Sequence, residues 1–225
     1  VLPMYLLIGI WGSTRKEYGA MKLTLYLMGG SAMIIIGMLA LYYGSGLRTF
    51  DMRLLAQAAL LPTSFQIAFF PPLFLGFAVL AGMFPFHTWS PTGHVAAPTA
   101  VSMLHAGVLM KLGAYGCLRA AMWLMPEGAH YWLLPIAIAT LINAVYGATI
   151  AMTQRDFKFM IGYSSVSHMG LVVMGLAAGN EIGLIGSVLQ MFAHGVMTAL
   201  FFAVVGRMVY ERTHTRDLNA LKAFD

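Results

Sequence analysis

Long apolar segments separated by short polar or charged connections alternate along the whole chain. They cover residues 1–11, 20–43, 65–84, 99–119, 131–152, 159–179 and 182–210. A helix needs about 20 apolar residues to cross a bilayer, so the pattern predicts about seven membrane segments, the first of them incomplete. The predicted fold class is therefore all-α, a polytopic transmembrane helix bundle in which residues 1–225 form part of one domain.

The segment at residues 65–84 differs from the others because proline interrupts its pattern. Pro71 and Pro72 lie inside it, and residues 82–85 close it with Gly-Met-Phe-Pro. Proline removes a backbone donor and clashes with the preceding turn, so we predict a proline-broken helix here. Non-helical backbone at membrane depth must be buried in protein or line a wet cavity. Residues 87–98 then form either a re-entrant or short helix at the water boundary or a plain interfacial loop.

The composition is that of a membrane protein. Only 9% of the 225 residues are charged and the mean hydropathy is +0.78, whereas about 25% of residues are charged in soluble domains. The net charge of +5 follows from the rule that basic residues collect in cytoplasmic loops, so we predict no nucleic-acid partner. Alternating connections place three basic residues, Arg48, Arg53 and Arg119, outside and nine on the cytoplasmic side: Arg15, Lys16, Lys22, Arg155, Lys158, Arg207, Arg212, Arg216 and Lys222.

The segment at residues 99–119 carries a single lysine, Lys111, close to its middle. With a rise of about 1.5 Å per residue, the Lys111 backbone lies roughly 12 to 18 Å from the ends of the segment, too deep for the side chain to reach an interface easily. A charge at this depth costs about 3 kcal/mol or more and usually faces a bundle interior or a hydrated path. We therefore interpret Lys111 as a functional residue.

Four consecutive spans each hold a polar residue near their centre, namely Lys111, Asn143, His168 and His194. Polar groups in lipid seek one another because nothing else there satisfies them, so a lateral polar layer is expected. An amine and two imidazoles suit proton transfer, since imidazole takes up and releases protons near neutral pH. We predict a proton path through Lys111, His168 and His194. The alternative is that each histidine is a core residue bonded to a neighbouring helix.

The remaining polar residues do not indicate a metal, nucleotide or redox site. His87 and His94 are seven residues apart, and no acidic residue inside the spans accompanies them to complete a metal site. The sequence holds no phosphate-binding loop and no flavin or dinucleotide fingerprint. Cys117 is the only cysteine, which excludes a disulfide framework and a cysteine-ligated iron–sulfur cluster.

Four motifs, in a fixed order, resemble those of a known family. They are FPFHTWSPTGHVAAPTAVSMLHAGVLMKLGAYG at 84–116, GYSSVSHMG at 162–170, QMFAHG at 190–195 and HTRDL at 214–218. The series resembles the antiporter-like subunits of bacterial respiratory complex I, the NADH:quinone oxidoreductase, within the Mrp-antiporter superfamily. LIGIWG at 7–12 and the HTRDL motif are finer details that resemble the subunit M type.

The resemblance implies a longer subunit of which this chain is a fragment holding about half, beginning within the fifth helix. In the family, a lysine on the eighth helix carries protons along a central hydrated axis, and Lys111 matches it. A second lysine, on the broken seventh helix, pairs with a glutamate. The family pattern AxKxPMFPFH puts that lysine at the position of Leu80. If protons pass along this subunit, His87, His105 or a residue outside this chain would have to take its place as a carrier.

The resemblance also implies partners, cofactors and location. We expect other membrane-arm subunits as partners, membrane lipid around the chain, and NADH, FMN, iron–sulfur clusters and quinone in partner subunits, with no cofactor in this chain. The expected location is the bacterial cytoplasmic membrane, in a proton-translocating oxidoreductase whose redox chemistry lies in other subunits. The alternatives are an Mrp-type cation/proton antiporter, a membrane-bound hydrogenase arm subunit, and a non-pumping structural spacer, which the leucine at position 80 favours.

Overall fold

The computed structural model describes residues 1–57 and 61–221. Within them the chain forms the helices α1 Leu2–Trp11, α2 Lys16–Gly44, α3 Met52–Gln57, α4 Thr63–Ala81, α5 Trp89–Ala96, α6 Thr99–Met122, α7 Pro126–Thr153, α8 Phe157–Ala177, α9 Glu181–Thr213 and α10 Leu218–Leu221. Six of these helices (α2, α4, α6, α7, α8 and α9) are long and apolar enough to cross a membrane, and α1 is a shorter apolar helix. The predicted all-α bundle of about seven segments with a short first one is confirmed.

The break in the third span lies at Gly82, after Pro71 and Pro72. Helix α4 continues through both prolines and ends at Ala81, where Gly82 takes the left-handed conformation with φ of +76°. The prediction that Pro71 and Pro72 interrupt the helix is therefore wrong. Membrane helices tolerate proline because neighbouring groups satisfy the backbone that it frees, whereas a positive φ is readily adopted only by glycine.

Asn143 of α7 forms hydrogen bonds to the backbone of two neighbouring segments, the break after α4 and helix α8. Its Oδ1 accepts a hydrogen bond from the Phe84 N–H at 2.8 Å, and its Nδ2 donates to the Val166 carbonyl at 2.8 Å. The side chain is fully buried. Asn143 thus satisfies the Phe84 N–H, which has no helical partner after α4 ends, and its amide stabilises the break in the third span.

Helix α5 continues the crossing that α4 begins. It is a short helix buried in the bundle, with Trp89 and His94 both at 0% exposure, so the interfacial-loop alternative is wrong. The Trp89 indole donates to the Val79 carbonyl at 2.9 Å, which ties α5 to the end of α4. At the other end of α5, the Ala96 carbonyl accepts from the Ser13 N–H at 2.8 Å, so α5 ends beside the connection between α1 and α2.

Three connections gather at this end of the bundle. Arg216, after α9, donates from Nη2 to Thr14 Oγ1 at 3.4 Å, and its carbonyl accepts from the Phe157 N–H at 3.0 Å at the start of α8. The predicted cytoplasmic basic residues in these connections therefore meet at one end, in agreement with the expected topology; Lys222 lies outside the described residues.

Candidate functional site

Lys111 lies where α6 and α9 cross. The two helices approach closely because Gly107 and Gly195 face each other, and a Cβ on Gly195 would stand 2.9 Å from the Gly107 carbonyl oxygen and 3.7 Å from Lys111 Cε. The Lys111 ammonium donates a hydrogen bond to the Ala106 carbonyl. That carbonyl belongs to the π-helical stretch His105–Leu109, a form of helix that frequently marks functional sites.

The Lys111 side chain also borders an open groove. It is half-buried, and the groove, about 660 Å³ in volume, runs between α6 and α9 with mostly apolar side chains along it. The lysine is thus the only charged group among the residues that line this groove. Its ammonium has no direct hydrogen bond to an imidazole among the described residues, so transfer between them requires water or side-chain motion.

His168 of α8 and His194 of α9 form a stacked pair. Their ring centroids are 5.0 Å apart with an interplanar angle of 23°. Gln190, one turn before His194 on α9, lies 2.9 Å from His168 Nδ1 through its Nε2. This contact is a hydrogen bond between the Gln190 amide and the His168 ring. The sequence prediction that the two histidines lie close together agrees with this geometry.

A second histidine pair lies between α5 and α6. The rings of His94 and His105 have centroids 4.2 Å apart, and both residues are fully buried. Aromatic rings cover the two outer faces of the pair, because Trp89 stacks on His105 at 5.0 Å and Phe202 stacks on His94 at 4.8 Å. His94 and His105 are therefore held in a row of four rings.

His87 stands apart from both pairs, in the break between α4 and α5. Its ring meets the edge of Tyr146 at 5.1 Å and that of Tyr163 at 6.3 Å between centroids. Its side chain is 2% exposed. Phe84 also stacks on the His87 ring at 5.8 Å, so one aromatic face and two phenol rings surround His87.

Four of the five core histidines have ring nitrogens without a protein partner. Neither nitrogen of His87, His94, His105 or His194 makes a hydrogen bond within the part of the chain that the structure describes. About nine in ten buried polar groups are hydrogen-bonded in proteins, and buried polar sites of this kind are the ones that hold ordered water. The alternative interpretation, a core histidine bonded to a neighbouring helix, does not fit His194 but fits His168, which is bonded to Gln190 of α9.

Sequence reasoning found most of this site but not all of it. The structure brings His168 to His194 and places His105, one of the two proposed substitutes for the lysine missing at Leu80, six residues before Lys111 on α6. The sequence did not indicate His94 as a site residue, because His94 meets His105 only when the chain folds back after the break and packs α5 against α6. Among residues 1–57 and 61–221, no group of three or more histidine, cysteine or acidic side chains is arranged to hold a metal ion.

The geometry can be compared with known proteins. A sequence model of the family described as NADH:quinone oxidoreductase/Mrp antiporter, transmembrane, matches residues 1–225. The chain belongs to this family. Among its curated relatives, chain 4 2 of the NAD(P)H-quinone oxidoreductase of Microcystis aeruginosa is 41% identical over 98% of this chain and 40% of its own length. Subunit M of the NADH-quinone oxidoreductase of Rickettsia typhi is 38% identical over 97% of this chain and 44% of its own length.

Solved structures show the same fold. One match is a chain of respiratory complex I from Thermus thermophilus with bound NADH, with a TM-score of 0.90 and 29% sequence identity. The match covers 96% of the present chain and 46% of the Thermus chain. A chain of the membrane-bound sulfane sulfur reductase, an archaeal respiratory membrane complex, matches with a TM-score of 0.89 at 23% identity, a likeness that shows the fold alone. The chain spans less than half the length of these relatives.

Proposed function

We propose that this chain is part of an antiporter-like membrane-arm subunit of a bacterial NADH:quinone oxidoreductase and conducts protons across the cytoplasmic membrane. The observation that carries the proposal is the arrangement of four imidazoles in two close pairs near Lys111, with no protein partner for the ring nitrogens of His94, His105 and His194. Its family membership and the names of its relatives support the assignment. Other subunits of the assembly would bind NADH, FMN, iron–sulfur clusters and quinone.

The proposed path uses Lys111 as the link between the pairs. His105 lies six residues before Lys111 on the same helix, a separation of about 9 Å along the axis. His194 lies on α9 next to Gly195, against which Lys111 Cε packs. A proton on the pair of His94 and His105 can thus reach Lys111 along α6, and Lys111 can pass it to the pair of His194 and His168 across the crossing with α9.

The test is to separate proton pumping from electron transfer in the intact assembly. Lys111→Ala, His105→Gln and His194→Gln are introduced into the full-length protein, and membrane vesicles are assayed for both acidification and quinone reduction by NADH. We expect each variant to lower the number of protons translocated per quinone reduced, because each removes one carrier from the path. His130→Gln is the matched control, since His130 is exposed on α7 and should leave the ratio unchanged.

Two of the alternative functions give results that differ from the one expected. Unchanged pumping in all three path variants would leave the structural spacer as the function. Cation-driven proton exchange that persists without NADH or quinone would instead support an Mrp-type antiporter. A drop in the ratio for the path variants, with His130→Gln at the wild-type value, supports proton translocation through Lys111 and the histidines.

A further inference from the structure

Lys158 is a second buried lysine, and the path described above does not use it. Its side chain is only 5% exposed, although it follows the N-cap residue Asp156 by two positions. The ammonium donates to the Ala97 carbonyl at 2.8 Å, in the connection between α5 and α6. Burying an ammonium costs several kcal/mol, and a neutral donor would satisfy the same carbonyl at lower cost. The charge of Lys158 therefore needs a reason beyond this hydrogen bond.

Lys158 lies on the same face of α8 as Gly162, the residue that packs against His94. Residues four apart lie on the same face of a helix, so Lys158 and Gly162 both face α5. A Cβ on Gly162 would stand 3.7 Å from Cδ2 of His94 and 2.9 Å from Cα of Pro91, so α8 packs directly on the His94 ring. The two positions are about 6 Å apart along α8, and the flexible lysine stem spans such a distance. His94 offers two ring nitrogens without a protein partner.

A cleft with several polar side chains lies at the predicted cytoplasmic end of the bundle, beside residues that neighbour Lys158 in the chain. It has a volume of about 360 Å³ and lies between the start of α8 and the outer face of α5. Asp156 and Phe159, the residues on either side of Phe157 and Lys158 in the chain, line one wall together with Arg216, and Thr92 lines the opposite wall. Lys158 itself does not line the cleft, but its backbone N–H donates to Asp156 Oδ1 at 2.7 Å, so the carboxylate in the cleft is bound to the backbone of the lysine.

We propose that Lys158 takes protons from this cleft and passes them to His94, as the cytoplasmic beginning of the path. The inference rests on the proposed function. In the step, the Lys158 ammonium gives one N–H proton to a ring nitrogen of His94, directly or through water. The neutral amine left behind takes one proton from hydronium of the cleft through an intervening water. Only N–H and O–H bonds change, and one positive charge moves inward.

The experiment compares one substitution that removes the hydrogen bond to Ala97 with another that keeps a hydrogen-bond donor but cannot release a proton. Lys158→Met removes both the ammonium and its bond to Ala97. Lys158→Arg keeps a positive charge and donors for the carbonyl, but guanidinium does not release a proton in proteins. In vesicles with the intact assembly, we expect both variants to lower protons translocated per quinone reduced as far as Lys111→Ala does, with normal amounts of assembled complex. Lys16→Met is the control, because the Lys16 ammonium also donates to a carbonyl, that of Ile10 at 3.0 Å, but at an exposed position.

A second measurement identifies the amine itself as the carrier. Lys158→Ala leaves a space that small external amines can enter, and restored pumping should rise with the pKa of the added amine when amines of equal size are compared. Wild-type pumping in Lys158→Arg would overturn the proposal, since a structural bond to Ala97 would then be sufficient. Loss of assembly in Lys158→Arg would overturn it as well. If Lys111→Ala also pumps normally, the proposed function fails; if Lys111→Ala fails to pump while Lys158→Arg pumps, only the role of Lys158 fails.

Discussion

Asn143 gives the sharpest test of how the broken span is held. Asn143→Ala removes the acceptor for the Phe84 N–H and the donor to the Val166 carbonyl, both at 2.8 Å. A buried donor without a partner costs about 1 to 3 kcal/mol, and the net value of a second hydrogen bond is about 0.5 to 1.5 kcal/mol. The expected loss is therefore about 2 to 4 kcal/mol of unfolding free energy, or a change of roughly 30- to 1,000-fold in the unfolding equilibrium.

The assay for Asn143→Ala is reversible unfolding of the full-length subunit in mixed detergent micelles, followed by circular dichroism. Thr149→Ala on the same helix is the matched control. Its hydroxyl donates to the Val145 carbonyl at 2.8 Å at an exposed position, so its loss should cost less than about 0.5 kcal/mol. If Asn143→Ala and Thr149→Ala unfold with equal free energies, the end of α4 does not depend on the Asn143 amide and the reasoning is refuted.

Two further predictions concern packing in the core. Gly113→Ala should destabilise the subunit by about 1 to 3 kcal/mol through overpacking, because its Cβ would stand 2.3 Å from the Ala81 nitrogen. Gly29→Ala, with nothing within 4 Å of its Cβ, should unfold like the wild type. Equal stability of the two variants would contradict the close approach of α4 and α6. Cys117 is fully buried, so a maleimide should label it only after denaturation in SDS, and rapid labelling in native membranes would show that this face of α6 is open.

The sequence predicts the helices well because about 20 apolar residues in a row have few other solutions. It also predicts that His168 and His194 meet, since equal depth on neighbouring spans is enough. Three features could not be predicted. The helix continues through Pro71 because neighbouring groups satisfy the freed backbone. The hydrogen bonds of Asn143 depend on where α4 ends. The pairing of His94 with His105 depends on how α5 packs against α6 after the break. Each of these is set by contacts between segments far apart in sequence.

The close spacing within each histidine pair limits how many protons the proposed path can hold. Two imidazolium ions 5.0 Å apart, the centroid distance of His168 and His194, would repel each other by about 3 kcal/mol at an effective dielectric constant of about 20. The repulsion is slightly larger for His94 and His105 at 4.2 Å. A second proton on either pair is therefore disfavoured by more than about a hundredfold. If protons move as proposed, each pair holds at most one proton beyond those of its two neutral rings. A new proton then enters at His94 only after the previous one has moved on to Lys111.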